Sequence, residues 1–279
     1  MSRTSVGVVI VTYNSGRFLP KALEALQRQS TPPQKLVVVD NASSDRSYLS
    51  VLDSLSWAKV LPQPENLGFC RGNNIGAAEL LNETDFILFL NPDAFLTPAF
   101  IEKAVARMQE PGNENVGALT GVLLGYDIEK DAPTGRLDST GIFRTWYGRW
   151  YDRGQRSPAE SLTLTSPQPV SAICGAAMFC RSAALRQVLL NGREVFDERF
   201  FMYKEDIDLS LRLARAGWRL MLFPELQAYH CRGWTERKAI PMRLRVLSAR
   251  NDLRVHWRDH SPCCLYALAK LLYVYLLER

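Results

Sequence analysis

Phe86-Ile87-Leu88-Phe89-Leu90-Asn91-Pro92-Asp93 is the stretch that decides the fold. Five consecutive apolar side chains fit a strand buried on both faces, the kind found inside a parallel sheet. Pro92 has no N–H to give a ladder, so the strand must end before it. Asp93 therefore stands just past the carboxyl end of a central strand. That is the edge where open α/β sheets bind ligands. A metal-bound phosphate is a good reason to keep an acid there.

Working outward, the first 125 residues alternate between two periods. Val6–Thr12 and Lys35–Asp40 read as buried strands, and Lys59–Leu61 as a short one. Leu19, Leu23 and Leu26 give Arg17–Gln29 helical spacing, closed by Pro32-Pro33. Ser43 or Ser44 is placed to cap a following helix. Arg71–Asn82 reads as a helix, and so does Thr97–Glu110, opened by Pro98. Val116–Leu124 is a further strand. This order predicts an α/β class with a mostly parallel central sheet flanked by helices.

Downstream the pattern loosens. Tyr126–Pro169 is polar with aromatic islands and reads as hairpins and loops, with a mobile loop around Arg153–Pro167. Val170–Arg181 reads as a strand in which Gly175 marks a close backbone approach, and a helix follows near Ser182–Leu190. Glu205–Ala216 is an amphipathic helix ended by Gly217. Trp218–Phe223 and Leu226–Tyr229 read as two short strands. Ile240–Arg279 reads as helical with a break near Ser261-Pro262. The expected division is a catalytic domain over 1–236 and a helical C-terminal extension over 237–279. Within the domain, a nucleotide half covers about 1–125 and an acceptor half about 126–236.

Composition narrows the function. The chain has 279 residues, 47% hydrophobic and 23% charged, which is ordinary for a globular protein. A net charge of +5 is too small to imply nucleic acid. The positive charge is concentrated: Arg232 to Arg258 carries eight Lys/Arg against Glu236 and Asp252. The six cysteines form no CxxC and no zinc-like spacing, so they read as free thiols in a reducing compartment. The chain opens directly into a strand, and no run reaches the ~18 apolar residues of a membrane span. The expected location is cytoplasmic.

The polar residues then fall into place. Tyr13-Asn14, Asp40-Asn41 and Asp93 follow three strands and land on one edge of a parallel sheet. Turn preference explains each singly; three together point to a nucleotide cleft. The run Asn66 to Gly76 could cradle phosphates at a helix start, or be a glycine-rich turn with a helix cap. It is not GxGxxG and no P-loop is present, which disfavours a dehydrogenase and a P-loop nucleotidase.

Glu205-Asp206-Ile207-Asp208 opens a helix, where acids complement the helix dipole by about 0.3–1 kcal/mol each. Successive residues point about 100° apart, so at most one of Glu205 and Asp206 aims straight into a pocket. The apolar residues Phe200 to Tyr203 would wall that pocket, raising a carboxyl pKa toward general-base use. Of three histidines, His256 and His260 read as surface residues of a basic helix. His230, following a short strand, reads as a structural histidine alone and as a metal ligand if it meets Asp93.

Together these residues resemble the inverting family 2 glycosyltransferases of the GT-A fold, closest to bacterial rhamnosyltransferase-like members. The resemblance covers roughly Val6 to Trp234. Its carriers are Val8 to Asn14, Val39 to Ser43, Glu65 to Phe69 with Asn73-Asn74, Leu90 to Asp93, and Phe201 to Leu209 with Arg212.

It implies that Thr12, Tyr13 and Asp40 hold the nucleotide, with Asp40 on the base. Asn66, Gly68 and Asn73 would line the pyrophosphate and sugar, and Gly175 would lie beside the donor sugar. Asn14, Asn41, Arg71 and Asn91 belong to the same donor pocket. Asp93, with His230, would bind Mg2+ or Mn2+. Asp206 would be the catalytic base, supported by Glu205. The implied reaction moves rhamnose from dTDP-rhamnose, or else a hexose from a UDP-sugar, onto a hydroxyl of a glycan or lipid-linked glycan.

A sugar-phosphate nucleotidyltransferase and a degenerate binding module are the competing readings. Ser15-Gly16-Arg17 is too sparse for the former, and the presence of Asp40, Asp93 and Asp206 argues against the latter. Where the family often carries Asp-X-Asp, this chain has Asn91-Pro92-Asp93, with one carboxylate. The C-terminal helices would either bind an anionic membrane surface or rest on the core with solvated arginines. A homodimer is compatible with this reading.

Overall fold

The computed structural model describes residues 4–232 and 240–278. The expected domain boundary at 236/237, and Glu236, Arg237 and Lys238 of the basic stretch, lie outside the described residues. The N-terminal part runs β1 (Val6–Thr12), α1 (Leu19–Gln27), β2 (Lys35–Asp40), a 3-10 segment (Ser47–Ser54), β3 (Ala58–Pro62), α2 (Gly68–Ala78), β4 (Phe86–Leu90), β5 (Ala94–Leu96), α3 (Phe100–Gln109) and β6 (Val116–Asp127). There follow β7 (Ala132–Ser139), β8 (Ile142–Arg144), β9 (Trp150–Asp152), β10 (Gln168–Pro169), β11 (Ala177–Arg181), α4 (Ser182–Gln187), α5 (Glu205–Arg215), β12 (Arg219–His230), α6 (Met242–Arg258) and α7 (Cys264–Leu277).

The central sheet has the order β10-β12-β6-β11-β4-β1-β2-β3. β1, β2, β3 and β4 are mutually parallel, and β12 is parallel to β6. Every residue of β1 and β4 is buried, as a strand covered by helices on both faces requires.

Several expectations needed correction. β11 runs antiparallel between β4 and β6, so the sheet is mixed at its centre. Only Ala177–Arg181 of the expected Val170–Arg181 strand is strand; the preceding residues leave the ladder to meet α5. The two expected strands at 218–229 are one, β12, interrupted by a register shift between Leu222 and Gln227. Pro224, which has no N–H for the ladder, falls in that interruption. Ser43 and Ser44 cap no helix: a short 3-10 segment begins later, at Ser47, and Ser44 N instead donates to Asn14 Oδ1 (2.8 Å). The 153–167 loop is tied to β7 through Leu137 N–Ser157 O (2.8 Å) and Arg156 N–Leu137 O (2.9 Å).

His256 is fully buried rather than on the surface. Its Nε2 bonds the Gly148 carbonyl (2.8 Å) and its ring stacks on Trp150 at 6.4 Å. The arginines around it in sequence sit on other faces of α6, whose inner face also carries Ala249, Asn251, Asp252 and Val255. All six cysteines are free.

Candidate active site

The topology gathers the predicted acids. β1, β2, β4 and β12 end on one edge, and β11 starts there. β5, immediately after Asp93, pairs with the end of β12 so that Ala94 lies opposite His230. Cys231 N then donates to the Asp93 carbonyl (2.9 Å). As a result Asp93 Oδ1 lies 3.5 Å from His230 Nε2, across 137 residues of sequence.

His230 Nδ1 bonds Asp138 Oδ2 at 2.8 Å. Asp138 also accepts from Arg232 Nε (2.6 Å), and Arg232 Nη2 reaches Asp152 (3.0 Å). Burial alone would lower the imidazole pKa; the carboxylates of Asp93 and Asp138 on either side outweigh it and push it up to about 10.

This arrangement fits a divalent cation. A carboxylate engaging one ring nitrogen fixes the imidazole and directs the other toward the metal. Asp93 and His230 would supply one oxygen and one nitrogen. Among the described residues no group of three His, Cys, Asp or Glu side chains could hold an ion alone. The remaining positions suit a diphosphate, the way Mg2+ is held in phosphate-transfer sites.

A cavity of about 270 Å3 is lined by Glu205 and Asp206 as well as by Asn91 and His230. Asp206 Oδ2 accepts from Gly175 N (3.1 Å) and Oδ1 from Ile207 N (2.8 Å). Burial raises the Asp206 pKa, and these two N–H groups pull the other way. Glu205 is pushed up to about 8, by burial first and by the charge of Asp206 second. The charge of Asp206 makes Glu205 harder to ionise, and the two titrate as a pair.

The loop before them is strained. Phe201, Tyr203 and Lys204 have φ of 60°, 70° and 72°. Left-handed geometry at such residues costs on the order of 1–3 kcal/mol each and persists only where neighbours enforce it. Asn251 of α6, fully buried, enforces it. Its Nδ2 donates to the carbonyls of Phe200 (2.8 Å), Met202 (2.9 Å) and Tyr203 (3.0 Å). Arg258, also from α6, bonds Asp197 and Asp208 on either side of the loop. α6 thus holds the loop that leads into the candidate base at the start of α5.

The residues expected to hold the donor spread along the same edge. Tyr13 and Asn14 are exposed, and Asn14 Oδ1 fixes Ser44. Thr12 and Asp40 are buried: Thr12 Oγ1 meets Tyr48 OH (2.9 Å), and Asp40 lies beneath Arg46 (2.8 Å). Asn66 Oδ1 accepts from Gly68 N and Asn41 Nδ2 donates to the Gly68 carbonyl, both at 3.0 Å. Gly68 has φ +81°, and a Cβ there would lie 2.4 Å from the Phe201 ring. Asn73 is turned inward to the Phe69 carbonyl, while Arg71 is exposed and 3.9 Å from Glu198. Gly175 meets Asp206 through its N–H.

Asp138, Arg232, Asp152, Trp150 and Asn251 are site residues that sequence reasoning passed over. Only the aromatic island at Trp150-Tyr151 left a trace in the pattern.

With this geometry in hand, comparison with known proteins is informative. The family model described as Glycosyl transferase family 2 matches residues 7–188. The chain belongs to glycosyl transferase family 2. It is a GT-A-fold glycosyltransferase. It is 28% identical over 237 residues to the N-acetylglucosaminyl-diphospho-decaprenol L-rhamnosyltransferase of Mycobacterium tuberculosis, covering 80% of this chain and 75% of that one. It is 25% identical over 236 residues to the O-antigen chain rhamnosyltransferase RfbN of Salmonella typhimurium, covering 84% and 68%. Among solved structures, that of GalNAc-T7 with UDP, GalNAc and Mn2+ superposes with a TM-score of 0.68 at 17% identity. The match covers 92% of this chain but about half, 48%, of that one. The family match ends before Glu205 and Asp206, so their roles rest on geometry and chemistry.

Proposed function

We propose that this glycosyltransferase moves rhamnose from dTDP-rhamnose, or failing that a hexose from a UDP-sugar, onto a hydroxyl of a cell-surface glycan or its lipid-linked precursor, with inversion. The carrying observation is one cavity lined both by the carboxylate pair and by Asn91 and His230, the latter beside Asp93. Asp206 takes the proton of the acceptor hydroxyl, a weak nucleophile without a base. Glu205, held neutral by burial and by its neighbour, keeps the pair from carrying two charges. Displacement from the face opposite the departing diphosphate inverts the anomeric carbon. Asp93 and His230 are the residues to hold Mg2+ or Mn2+. Such an ion stabilises the negative charge that develops on the leaving nucleoside diphosphate. The names of the relatives favour rhamnose and a lipid-diphosphate or O-antigen acceptor.

Thermal-shift titration with dTDP-, UDP- and GDP-sugars tests the donor, because a ligand that binds only the folded state raises the melting temperature. The expected response is to dTDP-rhamnose with Mg2+ or Mn2+. Excess EDTA should abolish turnover and either ion restore it. Full activity with metal removal verified would overturn the roles of Asp93 and His230.

A lipid-linked acceptor would bring the protein to the inner face of the cytoplasmic membrane. The C-terminal helices suit that surface. The outer face of α7 presents Leu265, Leu268, Leu272, Tyr273, Tyr275 and Leu276, all exposed and uncharged. The one charged side chain within α7, Lys270, is turned to buried Asp252. At 14 residues α7 is about 21 Å long, short of the ~30 Å hydrocarbon core. Among the described residues no helix is long and apolar enough to cross a membrane. The proposed geometry is α7 lying in the interface with the arginines of α6 beside it. Flotation with phosphatidylglycerol-containing liposomes should carry the protein up, and Leu265→Glu with Leu272→Glu should prevent it. Equal flotation of the double variant would remove α7 from this role.

A further inference from the structure

Nine buried side-chain polar atoms among the described residues lack a hydrogen-bond partner, and four of them belong to residues lining the one cavity beside Asp206. They are Asn91 Oδ1, Trp150 Nε1, Asp152 Oδ1 and Glu205 Oε2. An unpartnered buried polar group costs about 1–3 kcal/mol, and native structures keep few of them. Four around one cavity mark a place where a ligand supplies the partners. Glu205 and Asn91 already have candidate roles. Trp150 and Asp152 have none.

Both come from β9, two residues apart and so on the same face of the strand. Both are held rigidly. Trp150 is 7% exposed, with the His256 ring stacked on it and the Arg144 guanidinium 5.5 Å from its centre. The Oδ2 atom of Asp152 is fixed by Arg232, whose other carboxylate partner, Asp138, orients His230. What remains is one fixed N–H donor and one fixed carboxylate acceptor beside the candidate base. Phe69 and Tyr151 add aromatic surface to the wall.

We propose that Trp150 and Asp152 form the acceptor-sugar subsite. The indole N–H donates to an oxygen substituent of a pyranoside, and Asp152 Oδ1 accepts from a hydroxyl on a neighbouring carbon. The ring is thereby turned so that the hydroxyl to be glycosylated faces Asp206. A pyranoside with hydroxyls on adjacent carbons satisfies a donor and an acceptor at once, over an aromatic wall that takes its apolar face. A polyprenyl chain offers neither group. This assignment rests on the glycosyl-transfer reading above.

The test uses full-length protein labelled with 15N-tryptophan, which gives six indole signals. The probes are methyl α-L-rhamnopyranoside and methyl N-acetyl-β-D-glucosaminide, added with dTDP present. One indole signal should move with a pyranoside, and it should be the signal missing from the Trp150→Phe variant. That variant removes the N–H together with the five-membered ring that carries it and keeps a six-membered aromatic ring. Its kcat/KM for acceptor should fall by about 10–100-fold, the cost of leaving a polar partner unmatched, with the affinity for dTDP unchanged. Asp152→Asn presents an amide in place of the carboxylate and should lose acceptor the same way. It carries the test, with the wild-type titration, should Trp150→Phe fail to fold.

If no indole signal moves while nucleotide binds, the subsite is overturned and the transferase reading stands. Wild-type transfer by the variants overturns it equally. If neither dTDP nor sugar is bound, the dTDP-rhamnose reading falls and takes this one with it.

Discussion

Asp206→Asn should lower transfer by about 10²–10⁴-fold, the range associated with a positioned general base, while leaving donor binding intact. The amide keeps the size of the side chain, and its oxygen can still accept from Gly175 N or Ile207 N. What it loses is the capacity to take a proton. The pH profile should carry the same signature. Burial raises the pKa of Asp206, and burial with the neighbouring charge pushes Glu205 to about 8. A base must be ionised to act, so activity rises with pH through the raised value and levels above it. The pair titrates as a unit, and wild-type kcat should begin to fall on acidification above the range in which an ordinary carboxylate protonates. An unperturbed carboxylate, with a pKa near 4, would still be ionised there. A flat profile down to about pH 5, or unchanged turnover of Asp206→Asn, removes Asp206 from the role.

How much of this was legible in the sequence depends on the distance between the groups involved. The strands β1, β2 and β4 are apolar runs ended by Asn, Asp or Pro, and their burial follows from composition within five to seven residues. Their parallel order follows from the helices between them, so the ligand edge and Asp93 could be found by local reading. The reversal of β11 could not, because nothing within Ala177–Arg181 distinguishes a parallel from an antiparallel neighbour. Nor could the His230–Asp138 bond, which joins residues 92 apart through the β6–β7 and β12–β6 pairings. His256 misled because arginines stand two residues away on either side while its own helical face is buried. Asn251 reads as one more polar residue in a basic helix, and only the fold shows three carbonyls converging on its amide. Pattern found the groups that could do chemistry. The groups that hold them in place come from distant segments and carry no signature of their own.

Arg212→Met is expected to destabilise the protein by about 3–5 kcal/mol, the scale of breaking a buried ion pair by removing one partner. The Arg212 side chain is 8% exposed and that of Asp208, one turn earlier on α5, is 2% exposed. Arg212 Nε donates to Asp208 Oδ2 at 2.9 Å. Its two terminal nitrogens reach the carbonyls of Val188 (2.7 Å) and Val195 (2.5 Å), in the segment that leads to the 197–204 loop. Burial lowers the pKa of this guanidinium, and the adjacent Asp208 opposes the shift. Methionine matches much of the volume but leaves two buried carbonyls without a donor. It also leaves Asp208 with Arg258 as its remaining cationic partner. Thermal melts should therefore show a large drop in midpoint. The damage should be directional as well. α5 carries Asp206 at its start, and Asp208 joins that start to Arg258 of α6, the helix whose Asn251 holds the strained turn. Loosening Arg212 should lower kcat of the molecules that remain folded, well below the melting midpoint and at saturating donor. A melting midpoint within about 1 °C of wild type would overturn the stability expectation. A destabilised variant with wild-type kcat per folded molecule would separate the Arg212 network from the placement of Asp206.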